Sequence, residues 1–159
     1  MARSPEGRGT TPRLGLSLLD VARLPPSAVA ADPDLNALFS VGWAPWQTSP
    51  DTSDWAPVLE RSLTWVAAFD GEQLVGFVNV AWDGRDHAFV LDTRVHPDHR
   101  HQGVGTELVR RAARAAADAG CTVLHVDYED SLHPFYEACG FRPTLAGILS
   151  LSPQGVSVP

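Results

Sequence analysis

Leu14, Leu16 and Leu18 alternate with other residues along the chain, the period-two pattern of a first strand over 14–19. Leu24-Pro25-Pro26-Ser27 breaks that pattern. Asp32 then stands as an N-cap before Pro33, and Leu35, Leu38 and Phe39 give the following helix its apolar stripe. Gly42, Pro45 and Pro50 interrupt the next stretch, after which a short helix is expected over 54–62. Three strands follow, over 63–69, 73–82 and 88–95. Asp70-Gly71 and Asp83-Gly84 separate them as hairpin turns, so the strands form an antiparallel meander.

From Gly103 the period changes to that of a helix. Val104, Leu108, Ala112 and Ala116 line one face, Val109 and Ala113 broaden it, and Arg110, Arg111 and Arg114 point the other way. The arginines read either as a solvated face or as a binding patch. Gly120 closes the helix. A strand over 121–126 comes next, and strand–helix–strand implies a right-handed crossover and a parallel pair. A short helix over 130–139, closed by Gly140, and one or two strands within 141–151 complete the chain.

At 159 residues the sequence suits a single domain over 14–159. Residues 1–13 are polar, rich in Gly and Pro and without an apolar core segment, which predicts a disordered tail rather than a secretory signal. No run approaches the roughly 20 apolar residues of a spanning helix, so neither a membrane nor an export route is expected and the predicted location is cytoplasmic. The net charge of −7 argues against nucleic acid as a partner and would suit a cationic acceptor. All twelve basic residues are arginine. The two cysteines, Cys121 and Cys139, show no metal-ligand spacing, and no metal is expected. Cys139 reads as a reactive thiol or as a small buried hydrophobe.

Candidate chemistry gathers in two stretches. In Arg100-His101-Gln102-Gly103-Val104-Gly105-Thr106, two glycines lie between a strand and a long amphipathic helix, where backbone amides can converge on an anion. Position 108 is Leu, which excludes a Gly-x-Gly-x-x-Gly dinucleotide loop, and no Lys-Ser/Thr follows, which excludes a P-loop. In Phe135-Tyr136-Glu137-Ala138-Cys139-Gly140-Phe141, the phenol of Tyr136 can donate a proton or simply pack. Trp43, Trp46 and Trp55 lie near one irregular connection and read either as the lining of a substrate cleft or as core aromatics.

Residues 95–105 resemble the acyl-CoA signature of the GNAT (Gcn5-related) N-acetyltransferase superfamily, and 135–141 resemble that family's recurrent C-terminal segment. The resemblance spans about 63–151. It implies an α/β (α+β) three-layer fold with a central mixed, mostly antiparallel sheet of six to seven strands, flanked by about four helices. It implies acetyl-CoA as cosubstrate, held by Val95 and by His101, Gln102, Gly103, Val104, Gly105 and Thr106, in a gap between the strands over 88–95 and 121–126. It implies an N-acetyltransferase acting by direct attack of a primary amine of a small molecule or peptide, with Tyr136 as general acid. The general base would be Asp92 or Asp127, with Glu129 and His133 as further candidates. Trp43, Trp46, Trp82 and Phe135 would shape the acceptor pocket. Homodimers are common in that family. The alternative is an inactive module that binds acyl-CoA as a sensor. Glu129 stands where the family often has Asn, and Pro134 falls in the first turns of the last helix.

Overall fold

The computed structural model describes residues 16–20, 32–41, 49–149, 151–152 and 155–156; at 16–20, 32, 152 and 155–156 only the backbone course is described. The expected tail over 1–13, together with Trp43 and Trp46, lies outside them. Two compact units divide the chain, 1–127 and 128–159.

In the first unit, β1 (Leu16–Asp20), β2 (Thr64–Asp70), β3 (Gln73–Trp82), β4 (His87–Val95) and β5 (Val123–Val126) form one sheet in chain order. The pairs β1–β2, β2–β3 and β3–β4 are antiparallel and β4–β5 is parallel. The Asp-Gly turns and the strand–helix–strand pattern thus give the meander and crossover that the sequence implies. A separate hairpin of two residues per strand, β6 (Leu151–Ser152) and β7 (Gly155–Val156), belongs to the second unit. The six to seven strands expected in one sheet are therefore divided, five in the main sheet and two apart, among the described residues. Residues 141–149 hold no strand, because Pro143 and Gly147 interrupt them and no ladder partner is paired there.

Each face of the sheet has its own cover. Trp65, Ala67, Leu74 and Phe77 pack with Leu35 and Leu38 of α1 (Asp32–Ser40) and with Trp55 and Leu59 at α2 (Ala56–Arg61). Trp55 is one of these core aromatics: its ring lies 5.8 Å from that of Phe77, and its indole N–H donates to Asn36 Oδ1 at 3.0 Å. The other face carries Ala68, Gly76, Val78 and Val80 and receives α3 (Val104–Asp118), whose buried residues are Val104, Leu108, Val109, Ala112 and Ala116. The every-fourth-residue stripe read from the sequence is thus the buried face of α3, and both faces of β3 are covered. Arg110 and Arg114 lie on the exposed side, where Glu107 and Asp118 hold them.

Two irregularities matter for the site. Between β2 and β3 the register shifts at Ala68/Phe69, leaving Val75 opposite no residue of β2. Between β3 and β4, Phe77 pairs with Arg94 but Asn79 pairs with Leu91, so β4 carries one extra residue across Asp92 and Thr93. Asp92 takes φ +54° there, in the left-handed region.

The second unit contains a 3₁₀ turn at Asp130–Leu132 and α4 (His133–Ala138). Pro134 sits at the start of α4, so the α-helix begins late and the expected helix over 130–139 splits in two. Tyr136 is buried in this unit, stacked on Tyr128 at 4.8 Å and edge-on to Phe135 and Phe141 at 4.8 and 5.7 Å.

Candidate active site

The parallel ladder between β4 and β5 runs only from His87↔Val123 to Val90↔Val126. Beyond Val90 the β5-facing edge of β4 has no strand partner among the described residues. The bulge at Asp92–Thr93 falls where that edge becomes free. At the closed end, His87 Nδ1 and His125 Nε2 lie 2.7 Å apart, and Phe89 stacks on the His125 ring at 4.9 Å. These three side chains, undistinguished in the sequence, fasten the two strands just before the gap opens.

At the open end β4 passes into the glycine loop. His96 N–H donates to Val75 O at 2.8 Å, so the alternate peptide of Val95 faces the gap. Its carbonyl accepts from Arg100 Nε at 3.2 Å, which folds the loop back on the strand end. Arg94 points the other way, donating to Phe39 O at 2.6 Å with its guanidinium 4.9 Å from the Phe39 ring centre. Burial, and next the charge of Arg100, push the Arg94 guanidinium below the ordinary arginine range.

Within the loop, His101 and Gly103 have φ of +58° and +83°. Gly103 is the N-cap of α3, and the first helical bond is Glu107 N–H to Gly103 O at 3.0 Å. The amides of Val104, Gly105 and Thr106 therefore have no partner within the helix. They point outward at the positive end of the helix dipole, a setting for a phosphate group. Gln102 bonds back to Asp98 O at 2.8 Å and steadies the approach. A free strand edge leading to a bare helix mouth suits an extended ligand that carries amides along its length and a diphosphate at its end. The amides of Val104, Gly105 and Thr106 stand at the end of that path.

Register brings both candidate carboxylates of the first unit to the same end of the gap. Asp92 follows Val90 by two residues on β4, and Asp127 follows Val126 by one on β5. Both are exposed. Asp92 also has a partner that nothing in the sequence singled out: Asn79 Nδ2 donates to its Oδ2 at 3.1 Å. Asn79 lies on the face of Trp65 and Phe77. Trp82, three residues on, falls on the opposite face by strand alternation, half exposed and opposite Ala88, so it does not meet Asp92. Tyr136, Phe135, Glu129 and His133 belong to the second unit. There His133 Nδ1 lies 3.1 Å from the Tyr128 hydroxyl. Neither Cys121 nor Cys139 forms a disulfide, and no group of three or more His, Cys, Asp or Glu gathers as a metal site among the described residues. No helix among them is long and apolar enough to cross a membrane.

A model of the acetyltransferase (GNAT) family matches residues 32–141. Two thialysine N-epsilon-acetyltransferases are similar in sequence, the pig protein at 29% identity over 75 residues and the cattle protein at 32% over 73. These matches cover 45% and 44% of this chain, and the chain spans 44% and 42% of those relatives' length. Among solved structures, a candidate acetyltransferase from Deinococcus radiodurans R1 superposes with a TM-score of 0.69 at 26% identity, over 89% of this chain and 93% of that one.

Proposed function

Because the chain belongs to the acetyltransferase (GNAT) family, we propose that it transfers the acetyl group of acetyl-CoA to the primary amine of a small molecule or peptide by direct attack. The observation that carries this reading is the continuous free edge of β4 beyond Val90, running into the unpartnered amides at the mouth of α3. The pantetheine arm would lie along Val95, and the diphosphate would take the amides over 101–106. The pig and cattle relatives are named for acetylation of an ε-nitrogen, which supports a primary aliphatic amine as acceptor.

In this reading the amine nitrogen attacks the acetyl carbonyl carbon. The C–N bond forms, the C–S bond breaks, and the amine proton passes to Asp92, directly or through water. Tyr136 gives its phenolic proton to the departing thiolate. Asp127 is the alternative base. A panel of primary amines, incubated with acetyl-CoA and the protein and followed by thiol release and product mass, tests the proposal. Turnover on at least one amine that falls with Asp92→Asn or Asp127→Asn is the expected result. No acetylated product from any amine, or no heat of binding with millimolar acetyl-CoA in calorimetry, would sink it.

A further inference from the structure

We propose that Asn79 is a positioning residue that fixes the Asp92 carboxylate for proton transfer, an inference that rests on Asp92 serving as base in the reaction above. Asn79 sits on the central strand β3 with 2% of its surface exposed, among Trp65 and Phe77 in a sheet that is otherwise apolar at that level. A hydrophobic residue there would complete the packing. Its amide N–H donates to Asp92 Oδ2 at 3.1 Å, and because a carboxylate only accepts, the nitrogen must face it. That orientation leaves Asn79 Oδ1 buried with no hydrogen-bond partner among the described residues. A buried acceptor without a partner costs stability.

Asp92 bears a second cost at the same place. Its φ of +54° puts a branched polar residue in the left-handed region within a strand. In the register carried from the hairpin, Asn79 pairs with Leu91 and a regular strand would turn the next residue to the α3 face; the extra residue in β4 turns Asp92 back towards Asn79. An orphaned acceptor and a strained backbone thus converge to hold one carboxylate still, two residues beyond the last β4–β5 pair. Both features bear on the orientation of Asp92.

The test is a double-mutant cycle of Asn79→Leu and Asp92→Asn, read by steady-state kinetics and thermal unfolding. Asn79→Leu should lower kcat about ten-fold or more, leave KM for acetyl-CoA within about two-fold, and keep or raise Tm. Added to Asp92→Asn it should change kcat by less than about two-fold, because the two act as one unit. Asn79→Val, which also removes the N–H donor and adds no charge, should reproduce the loss. A Tm lowered by several degrees in both Asn79 variants would make the residue part of the framework and overturn the inference. So would full kcat in Asn79→Leu, or effects that multiply in the double variant. If the wild-type protein acetylates no amine, the proposed reaction falls and takes this role with it. If wild type and Asp92→Asn behave as that reaction requires and Asn79→Leu does not, only this inference falls.

Discussion

A Cβ atom on Gly76 would stand 3.0 Å from Leu108 Cδ1, so the backbone of β3 touches the buried face of α3 directly. Val104 Cγ1 at 3.1 Å and Ala68 Cβ at 3.3 Å close the remaining space. The contact sets how deeply the first turns of α3 seat on the sheet, and so where its amino end lies relative to the free edge of β4. Gly76→Val should cost about 1–3 kcal/mol by overpacking and lower Tm by several degrees. It should also weaken acetyl-CoA binding, since α3 must lift. Thermal unfolding and calorimetry on the purified variant check this; unchanged stability would mean that the helix has slack at this point.

Gly103 is constrained by conformation and not by space. Nothing lies within 4 Å of a Cβ built there, yet its φ is +83°. Gly103→Ala should cost about 1 kcal/mol through the backbone alone. It should weaken acetyl-CoA binding several-fold, because the loop amides turn away from their common focus. Gly103→Glu adds negative charge at the proposed diphosphate site and should reduce binding further, with a loss that shrinks as salt rises. Equal affinities for wild type and Gly103→Glu across a salt series would remove the loop from the binding site.

Glu107, in the first turn of α3, has its carboxyl held down to about 2 from an ordinary 4.5. The cause is first the fork of Arg110, at 2.6 and 2.7 Å, and then Arg111 at 2.9 Å. A depressed acid stabilises the fold in its ionised form. Its contribution is complete above the unfolded value near 4.5 and fades as pH falls towards 2. Water screens this partly exposed pair, so the gain is about 0.5–1 kcal/mol. Urea unfolding of wild type and Glu107→Gln should differ by that amount between about pH 5 and 7 and converge towards pH 2. A difference that stays constant through the acid range would assign it to helix propensity instead.

Tyr136→Phe keeps the stacked and edge-on ring contacts with Tyr128, Phe135 and Phe141 and removes only the hydroxyl. If that hydroxyl protonates the leaving thiolate, kcat should fall about 10- to 1000-fold while the acetyl-CoA dissociation constant holds. The loss should be smaller with an acyl donor whose thiol leaves more readily. Wild-type kcat in this variant would assign the tyrosine to packing alone.

Several of these residues were legible from spacing and others were not. Trp82 shows where parity misleads: regular pairing from the hairpin puts Trp82 and Asp92 on one face, and only the extra residue in β4 turns Asp92 to the other. Asn79 and Asp92 are thirteen positions apart, and their meeting depends on one extra residue in β4. No hydrophobic pattern marks that bulge, because Leu91, Asp92 and Thr93 read equally well as regular strand. Trp55, by contrast, needed its neighbours: only the packed rings of Phe39 and Phe77 decide between cleft and core.

The sequence by itself determined the meander, the crossover helix and the glycine loop at its mouth. Each is written in contacts between residues close along the chain: short Asp-Gly turns, a stripe every fourth position, glycines where the backbone turns left-handed. Tertiary structure alone decided where the β4–β5 ladder ends, which carboxylate gains a buried amide beside it, and how closely α3 sits on β3. Those outcomes follow from pairing between distant strands, where a shift of one residue turns every later side chain to the other face.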